Sequence, residues 1–180
     1  IQGKGIPLQS SENLAREESQ LPATYFYLES RRHAQNDEIP QAIASLEKAI
    51  ERDPESAFLK RDLIRFYLEQ KNDEQALLLA EILAEQDPEN VDNLLLLVRL
   101  IKTPDQESQL PGLLNKILTL DPGNKETYLR LGKIFMDNGN LPEALDLFSR
   151  MAEQLPDYYV AHFYLGETHF LMNHLDLAEL

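Results

Sequence analysis

Four basic side chains recur at one fixed interval along this sequence. The members of the series are 34 residues apart; they are Arg31, Arg65, Arg99 and Lys133, and the next position holds the acidic Glu167. A guanidinium group pairs with a carboxylate through two parallel hydrogen bonds, and an ammonium group pairs with it as a point charge. We name the four basic residues the basic row. Their chemistry predicts recognition of acidic side chains or of a free C-terminal carboxylate.

Catalytic and metal-binding chemistry have weaker support. His162 and His169 are seven residues apart, which is wider than the i, i+4 spacing of zinc-binding histidine pairs, and no third ligand accompanies them. His169 falls at the position held by aromatic residues in other copies, so we expect it to pack in the core. Cysteine is absent, which excludes thiolate catalysis, disulfides and cysteine metal sites. We predict no enzymatic activity and no cofactor.

Helical hairpins must position the basic row. Between residues 125 and 158, apolar residues recur at spacings of three and four in two stretches, separated by Asn138-Gly139-Asn140. The pattern predicts two helices that share one apolar face, which is too small to be buried without neighbours. Prolines end such hairpins every 34 residues, at Pro54, Pro88, Pro122 and Pro156. A fixed period of this length indicates stacked structural repeats.

The repeated residues resemble the tetratricopeptide repeat family. The fourth copy carries the family pattern in order, with Tyr128, Leu131, Gly132, Phe135, Ala144, Phe148 and Pro156. The resemblance covers residues 22–180, as repeats of about 23–56, 57–90, 91–124, 125–158 and an incomplete 159–180. It implies an all-α fold, a right-handed α-solenoid of stacked antiparallel helix hairpins. Gly132 and Gly166 are expected to let the second helix of each hairpin approach closely.

Three stretches depart from the regular repeat. In repeat three, Pro104 and Pro111-Gly112 predict a long loop over 103–109 and a second helix that begins late, near Leu110. In repeat five we expect a turn near His174 and the start of an uncovered second helix. Residues 1–21 are polar and outside the repeat phase, so they predict a linker, with a short helix over 12–18. Because the chain begins with Ile, we expect a piece of a longer protein.

The resemblance also implies where a ligand binds. In this family the first helices of the repeats line a concave groove that takes an extended peptide or a helix. We predict that groove at Tyr27, Arg31, Arg61, Arg65, Arg99, Lys102, Arg130, Lys133, Phe163, Glu167 and Phe170. The series changes from basic to apolar and aromatic, so the predicted peptide has acidic residues at one end and bulky apolar residues at the other.

A second interpretation of the basic row stays open at this point. Asp62, Asp92 and Glu126 lie on the same first helices and can pair with the basic side chains. Exposed pairs of this kind contribute only about 0–1 kcal/mol each, so the row would then be a neutral, solvated ladder.

Composition limits the partners further. The formal net charge is −14, which disfavours nucleic acid as the main ligand because phosphate binding requires a concentrated basic surface. No apolar run is long enough to cross a membrane. We therefore predict a protein-interaction scaffold, or alternatively a structural spacer that self-associates through its C-terminal repeat, as in an export or assembly factor. The compartment stays open between the cytoplasm and the periplasm of a bacterium.

Overall fold

A computed structural model describes residues 20–102 and 107–178 of the chain, with the last five of these described as backbone only. Within these ranges the chain forms nine α-helices and no strand. They are α1 (Ala23–Gln35), α2 (Ile39–Arg52), α3 (Ala57–Glu69), α4 (Asp73–Gln86), α5 (Val91–Leu100), α6 (Leu110–Leu120), α7 (Lys125–Asp137), α8 (Leu141–Gln154) and α9 (Tyr159–Ala178). The predicted fold class, all-α with repeated helical hairpins, is confirmed.

The chain divides into two compact units between Leu83 and Ala84, inside α4. In the first unit, α2 packs against α1 and α3. Ala42 and Ala49 of α2 are fully buried, because a small side chain lets neighbouring helices approach. The larger side chains of this core are Phe26, Leu46, Leu63, Ile64 and Phe66.

In the second unit each helix from α6 to α8 contacts the helix before it and the helix after it. The tightest approach is at Gly132 of α7, where an added Cβ would overlap the ring of Phe148 from α8. The predicted close packing at this glycine is therefore confirmed. Leu94, Leu114, Leu131, Leu147 and Met151 complete the core.

The helix boundaries repeat with the same period as the core. Side chains one period apart cap the first helices: Ser56, Asn90 and Asn124 accept hydrogen bonds from the backbone N–H groups at the third residue of α3, α5 and α7. The turns inside the hairpins repeat too, with positive φ angles at Asp37, Lys71 and Gly139. The predicted turn at Asn138-Gly139-Asn140 is one of them.

Repeat three has the predicted irregularity. Helix α6 begins at Leu110 and carries a proline in its first turn. Helix α5 has only 10 residues, whereas α7 has 13. It ends at Leu100, four residues before Pro104 in the sequence. Part of the predicted loop, residues 103–106, lies outside the described residues.

Repeat five differs from the prediction. Helix α9 runs without a break from Tyr159 to Ala178, so the expected turn near His174 is wrong. Within the described residues no helix follows α9 to form the second half of this hairpin. The helix-favouring residues after Asn173 instead extend α9 itself. Consequently an added Cβ at Gly166 meets open space, and His169 is exposed and not packed in a core.

Two further sequence predictions concern the N-terminal linker and the lack of a membrane-spanning segment. Most of the predicted linker, including the short helix over 12–18, lies outside the described residues. Among the helices that are described, none has both the length and the apolar character required to cross a bilayer.

Candidate functional site

The first unit places an aromatic pair on the predicted groove face. Tyr27 of α1 and Phe58 of α3 meet edge to face, with ring centroids 5.3 Å apart. Phe58 is 57% exposed, which is high for a large apolar side chain. The pair gives a rigid apolar surface on which another side chain can pack.

Beside this pair, Asp62 sits between two members of the basic row. Its Oδ1 accepts a hydrogen bond from Arg65 Nη2 at 3.1 Å, and its Oδ2 is 4.0 Å from Arg31 Nη1. Both arginine side chains stay nearly half exposed. Asp62 therefore supplies a carboxylate near both arginines, which is the arrangement that the alternative interpretation of the row describes. Arg61 is exposed on the same helix and has interactions of its own.

Asp62 is also incompletely satisfied. Its Oδ2 is buried and accepts no hydrogen bond from any residue that the structure describes. A buried acceptor without a donor is unfavourable by roughly 1–3 kcal/mol. A ligand N–H group that reached this oxygen would relieve that cost.

The second unit contains an open groove of about 650 Å³ between α7 and α9. Its apolar lining consists of Leu129, Met136 and Tyr164. The ring of Tyr164 stacks on the ring of Phe148 from α8, with centroids 5.0 Å apart, and this contact fixes the position of Tyr164. Five charged residues also line this groove, and they are Glu126, Arg130, Lys133, Asp137 and Glu167. The groove is therefore mixed in charge and not simply basic.

Arg99 and Lys133 are the members of the basic row in this unit. Both are exposed, and neither forms an ion pair within the residues that the structure describes. Lys102 is exposed too but already has an interaction partner. Arg99 and Lys133 thus differ from Arg31 and Arg65, which lie near a carboxylate.

Arg130 has a structural contact that the sequence analysis did not anticipate. Its Nη2 donates to the carbonyl oxygen of Val98 at 3.0 Å. Because α5 ends at Leu100, this carbonyl is among the last four of the helix and lacks an intrahelical donor. The guanidinium also lies at the negative end of the helix dipole. Arg130 thus joins α7 to the end of α5, and part of its bonding capacity is already used.

The two phenylalanines predicted for the groove lie elsewhere on α9. Phe163 and Phe170 are each 62% exposed, and neither is among the residues that line the 650 Å³ groove. Tyr164 and Glu167 are the residues of α9 that do line it. The helix therefore presents two different faces, of which only one borders the groove.

Phe58 was not among the predicted groove residues. The repeat period contains a signal for it, because Phe58 is two periods before Glu126, which lines the groove of the second unit.

The residues described here include no cluster of three or more histidine or carboxylate side chains arranged to hold a metal ion. The two groove faces bring together aromatic, aliphatic and charged groups. These are the kinds of side chain by which proteins bind peptide segments.

Part of this sequence is similar to that of a curated protein. The chain is 30% identical over 118 residues to anaphase-promoting complex subunit 7 of Dictyostelium discoideum, which corresponds to 65% of this chain but only 20% of that protein. The chain thus spans about a fifth of the length of this curated relative.

Solved structures share the fold. A MamA crystal structure superposes with a TM-score of 0.62 at 15% identity, covering 87% of this chain and 85% of that one. YrrB, described as a tetratricopeptide repeat protein with an unusual peptide-binding site, superposes with a TM-score of 0.60 at 22% identity, covering 91% and 84%. The family model for the tetratricopeptide repeat matches residues 33–101 and 112–157, more than half of the chain. The chain belongs to the tetratricopeptide repeat family.

Proposed function

We propose that this protein is an interaction scaffold that binds a protein segment in the groove between α7 and α9. The observation that carries the proposal is the 650 Å³ groove itself, with Leu129, Met136 and Tyr164 as its apolar lining and with Lys133, which forms no ion pair within the described part of the chain, also lining it. Family membership and the fold shared with YrrB support a binding role over a catalytic one.

The chemistry of the groove defines the ligand. An apolar side chain would bury its surface against this apolar lining, which contributes roughly 25 cal/mol per Å². A carboxylate placed beside it would pair with Lys133, while Glu126, Asp137 and Glu167 disfavour a wholly acidic peptide. The preferred segment therefore carries one bulky apolar residue and a single neighbouring carboxylate.

Selection from a displayed library of random 12-residue peptides on the 180-residue chain tests the proposal. We expect enriched sequences with this combination of residues, and we expect Leu129→Asp to weaken their binding at least 10-fold. Leu78→Asp is the matched control, because Leu78 is exposed on α4, outside this groove. Peptides that bind the Leu129→Asp and unsubstituted chains equally would contradict the proposal.

The basic row of the first unit can be tested separately with acidic peptides. If arginines of this row recognise carboxylates, Arg65→Glu should abolish capture. Asp62→Asn should strengthen it, because it removes the internal competitor for Arg31 and Arg65. Arg99→Glu is the parallel change in the second unit. Unchanged capture by all three variants would mean that the row has only a solvated, structural role.

Self-association is the second candidate function. Helix α9 exposes Phe163 and Phe170 to 62% each and Tyr159 to 78%, and Gly166 faces open space. Exposed apolar surface of this kind is typical of protein contacts. Mass measured over a concentration series decides: a dimer that Phe163→Ser dissociates supports self-association, and a monomer at every concentration rejects it.

A further inference from the structure

The second unit contains another open cavity, on a different side of α7 from the peptide groove. It has a volume of about 430 Å³ and lies among α6, α7 and α8. Its floor consists of Phe135, Pro142 and Leu147, and Asn115 of α6 forms one wall. None of these four residues lines the α7–α9 groove. The cavity is therefore independent of the proposed peptide-binding function.

The repeat period explains why this cavity is open. Phe135 and Asn115 are each 68 residues, two periods, after Tyr67 and Glu47. In the first unit that pair is closed, because Tyr67 Oη donates a hydrogen bond to Glu47 Oε1 at 2.6 Å. Phenylalanine has no hydroxyl group, and asparagine is one methylene shorter than glutamate. The equivalent pair in the second unit cannot form this bond, and the space between the two helices stays open.

The edge of the cavity is charged. Glu143, Asp146 and Arg150 of α8 complete its lining. Asp146 Oδ2 lies 3.8 Å from Arg150 Nη1, whereas Glu143 has no ion-pair partner within the described part of the chain. The lining thus contains two carboxylates and one guanidinium. It has one excess negative charge, which one additional cation would neutralise.

An apolar floor beneath carboxylates fits a side chain with an apolar stem and a cationic head. The planar guanidinium of arginine stacks on an aromatic ring better than an ammonium group does, and it forms two hydrogen bonds with a carboxylate. An aromatic or aliphatic anchor would instead remove water from Glu143 and Asp146 and would leave Glu143 without a cationic partner. The net charge of −14 also attracts basic partners over long range.

We propose that this cavity is a second docking site, which takes one arginine side chain of a protein partner. The stem of that arginine lies on Phe135 and Pro142, and its guanidinium lies between Glu143 and Asp146. The protein then engages a basic segment through the α6–α8 cavity, independently of the segment bound by the α7–α9 groove.

Nuclear magnetic resonance titration of the 180-residue chain tests this site with two blocked pentapeptides. The probe has arginine between pairs of glycines, and its uncharged analogue has citrulline in place of arginine. We expect the arginine peptide to shift the amide signals of Phe135, Glu143 and Arg150, with at least fivefold weaker binding of the citrulline peptide. Equal binding of the two peptides, or shifts that do not include these residues, would overturn the proposal.

Three variants separate the cavity from general attraction to an acidic protein. Glu143→Gln with Asp146→Asn should weaken the arginine peptide at least fivefold, whereas Glu153→Gln with Asp157→Asn removes the same charge outside the cavity and should leave it unchanged. The third variant, Asn115→Glu with Phe135→Tyr, rebuilds the Tyr67–Glu47 pair and closes the space. It makes the chain more acidic, so general attraction predicts tighter binding and a filled cavity predicts weaker binding. Tighter binding, or equal losses in the first two variants, would reject the site.

Discussion

Two glycines at the same position of successive repeats have opposite environments. At Gly132 the ring of Phe148 occupies the space that a Cβ would need, whereas at Gly166 that space is open. Both residues lie inside helices, where glycine is less favourable than alanine by roughly 0.5–1 kcal/mol. The sequence makes these positions look equivalent, and only the neighbouring helix distinguishes them.

This difference predicts stability changes of opposite sign. Gly132→Ala should lower the free energy of unfolding by about 1–3 kcal/mol, because the ring of Phe148 must move away from its stacked position on Tyr164. Gly166→Ala should raise the stability of α9 by about 0.5–1 kcal/mol through its higher helix propensity. Urea denaturation followed by circular dichroism measures both. The explanation fails if the two substitutions shift the midpoint in the same direction.

Tyr67 gives the first unit a pH dependence. Burial, together with the hydrogen bond to Glu47 and the charge of that carboxylate, raises the pKa of Tyr67 to about 12. Because the fold raises this pKa, it favours the neutral phenol. The stabilising contribution is therefore complete below pH 10 and is lost as the pH rises through about 12.

Alkaline denaturation checks this assignment. The unsubstituted chain should lose stability between pH 10 and 12, and Tyr67→Phe should be less stable at neutral pH by about 1 kcal/mol but lack that part of the alkaline loss. Tyr25, which is 43% exposed, provides the control substitution Tyr25→Phe. Identical alkaline profiles for Tyr67→Phe and the unsubstituted chain would contradict the role of the Tyr67–Glu47 pair.

At the scale of the helix, α5 is short, so one of its last carbonyl groups needs a hydrogen-bond donor from another helix, and α7 provides that donor. The helix stops at Leu100, which leaves the Val98 carbonyl without an intrahelical donor, and Arg130 supplies one. A residue predicted to bind a ligand thus has a role in joining two helices. This role follows from the irregularity of repeat three, since a 13-residue helix would satisfy that carbonyl itself.

Replacement of Arg130 should therefore affect stability before it affects binding. Arg130→Met keeps an apolar stem but leaves the carbonyl unsatisfied, so we expect a loss of about 1–3 kcal/mol from the second unit and faster amide hydrogen exchange at the end of α5. Lys133→Met, one turn further along α7, should change neither quantity. Equal stability of the two variants would show that the hydrogen bond to Val98 contributes nothing.

At the scale of the whole molecule, the chain divides into two compact units between Leu83 and Ala84. We expect this division to limit how far along the chain a destabilising substitution acts. In repeat proteins each repeat contacts only its neighbours, so stability is close to a sum of local terms. A cavity made deep in one unit should therefore have its main effect in that unit.

Leu46→Ala tests this locality, because Leu46 is fully buried in α2. The substitution should cost about 2–5 kcal/mol and accelerate amide exchange in α1 to α3. Exchange in α7 and α8 should stay within about twofold of the unsubstituted chain, and Leu147→Ala should give the reverse pattern. Uniform acceleration along the chain in either variant would indicate one cooperative unit.

The sequence by itself determined the repeat period, the helical hairpins, the late start of α6 and the turn at Gly139. These features depend on residues close together in the chain, whose apolar spacing, prolines and glycines act locally and are repeated several times. Their repetition made each local signal stronger. It also placed Tyr27, Arg31, Arg65 and Lys133 on comparable faces of the first helices.

Only the tertiary structure decided which of those residues remain available. Asp62 lies between Arg31 and Arg65, Arg130 binds the end of α5, and Lys133 has no ion-pair partner among the described residues. These outcomes depend on distances between helices whose residues are about 30 positions apart, where a difference of one methylene or one helical turn decides whether a contact forms. The sequence specifies the position of each side chain along a helix, but the packing of neighbouring helices specifies what that side chain contacts.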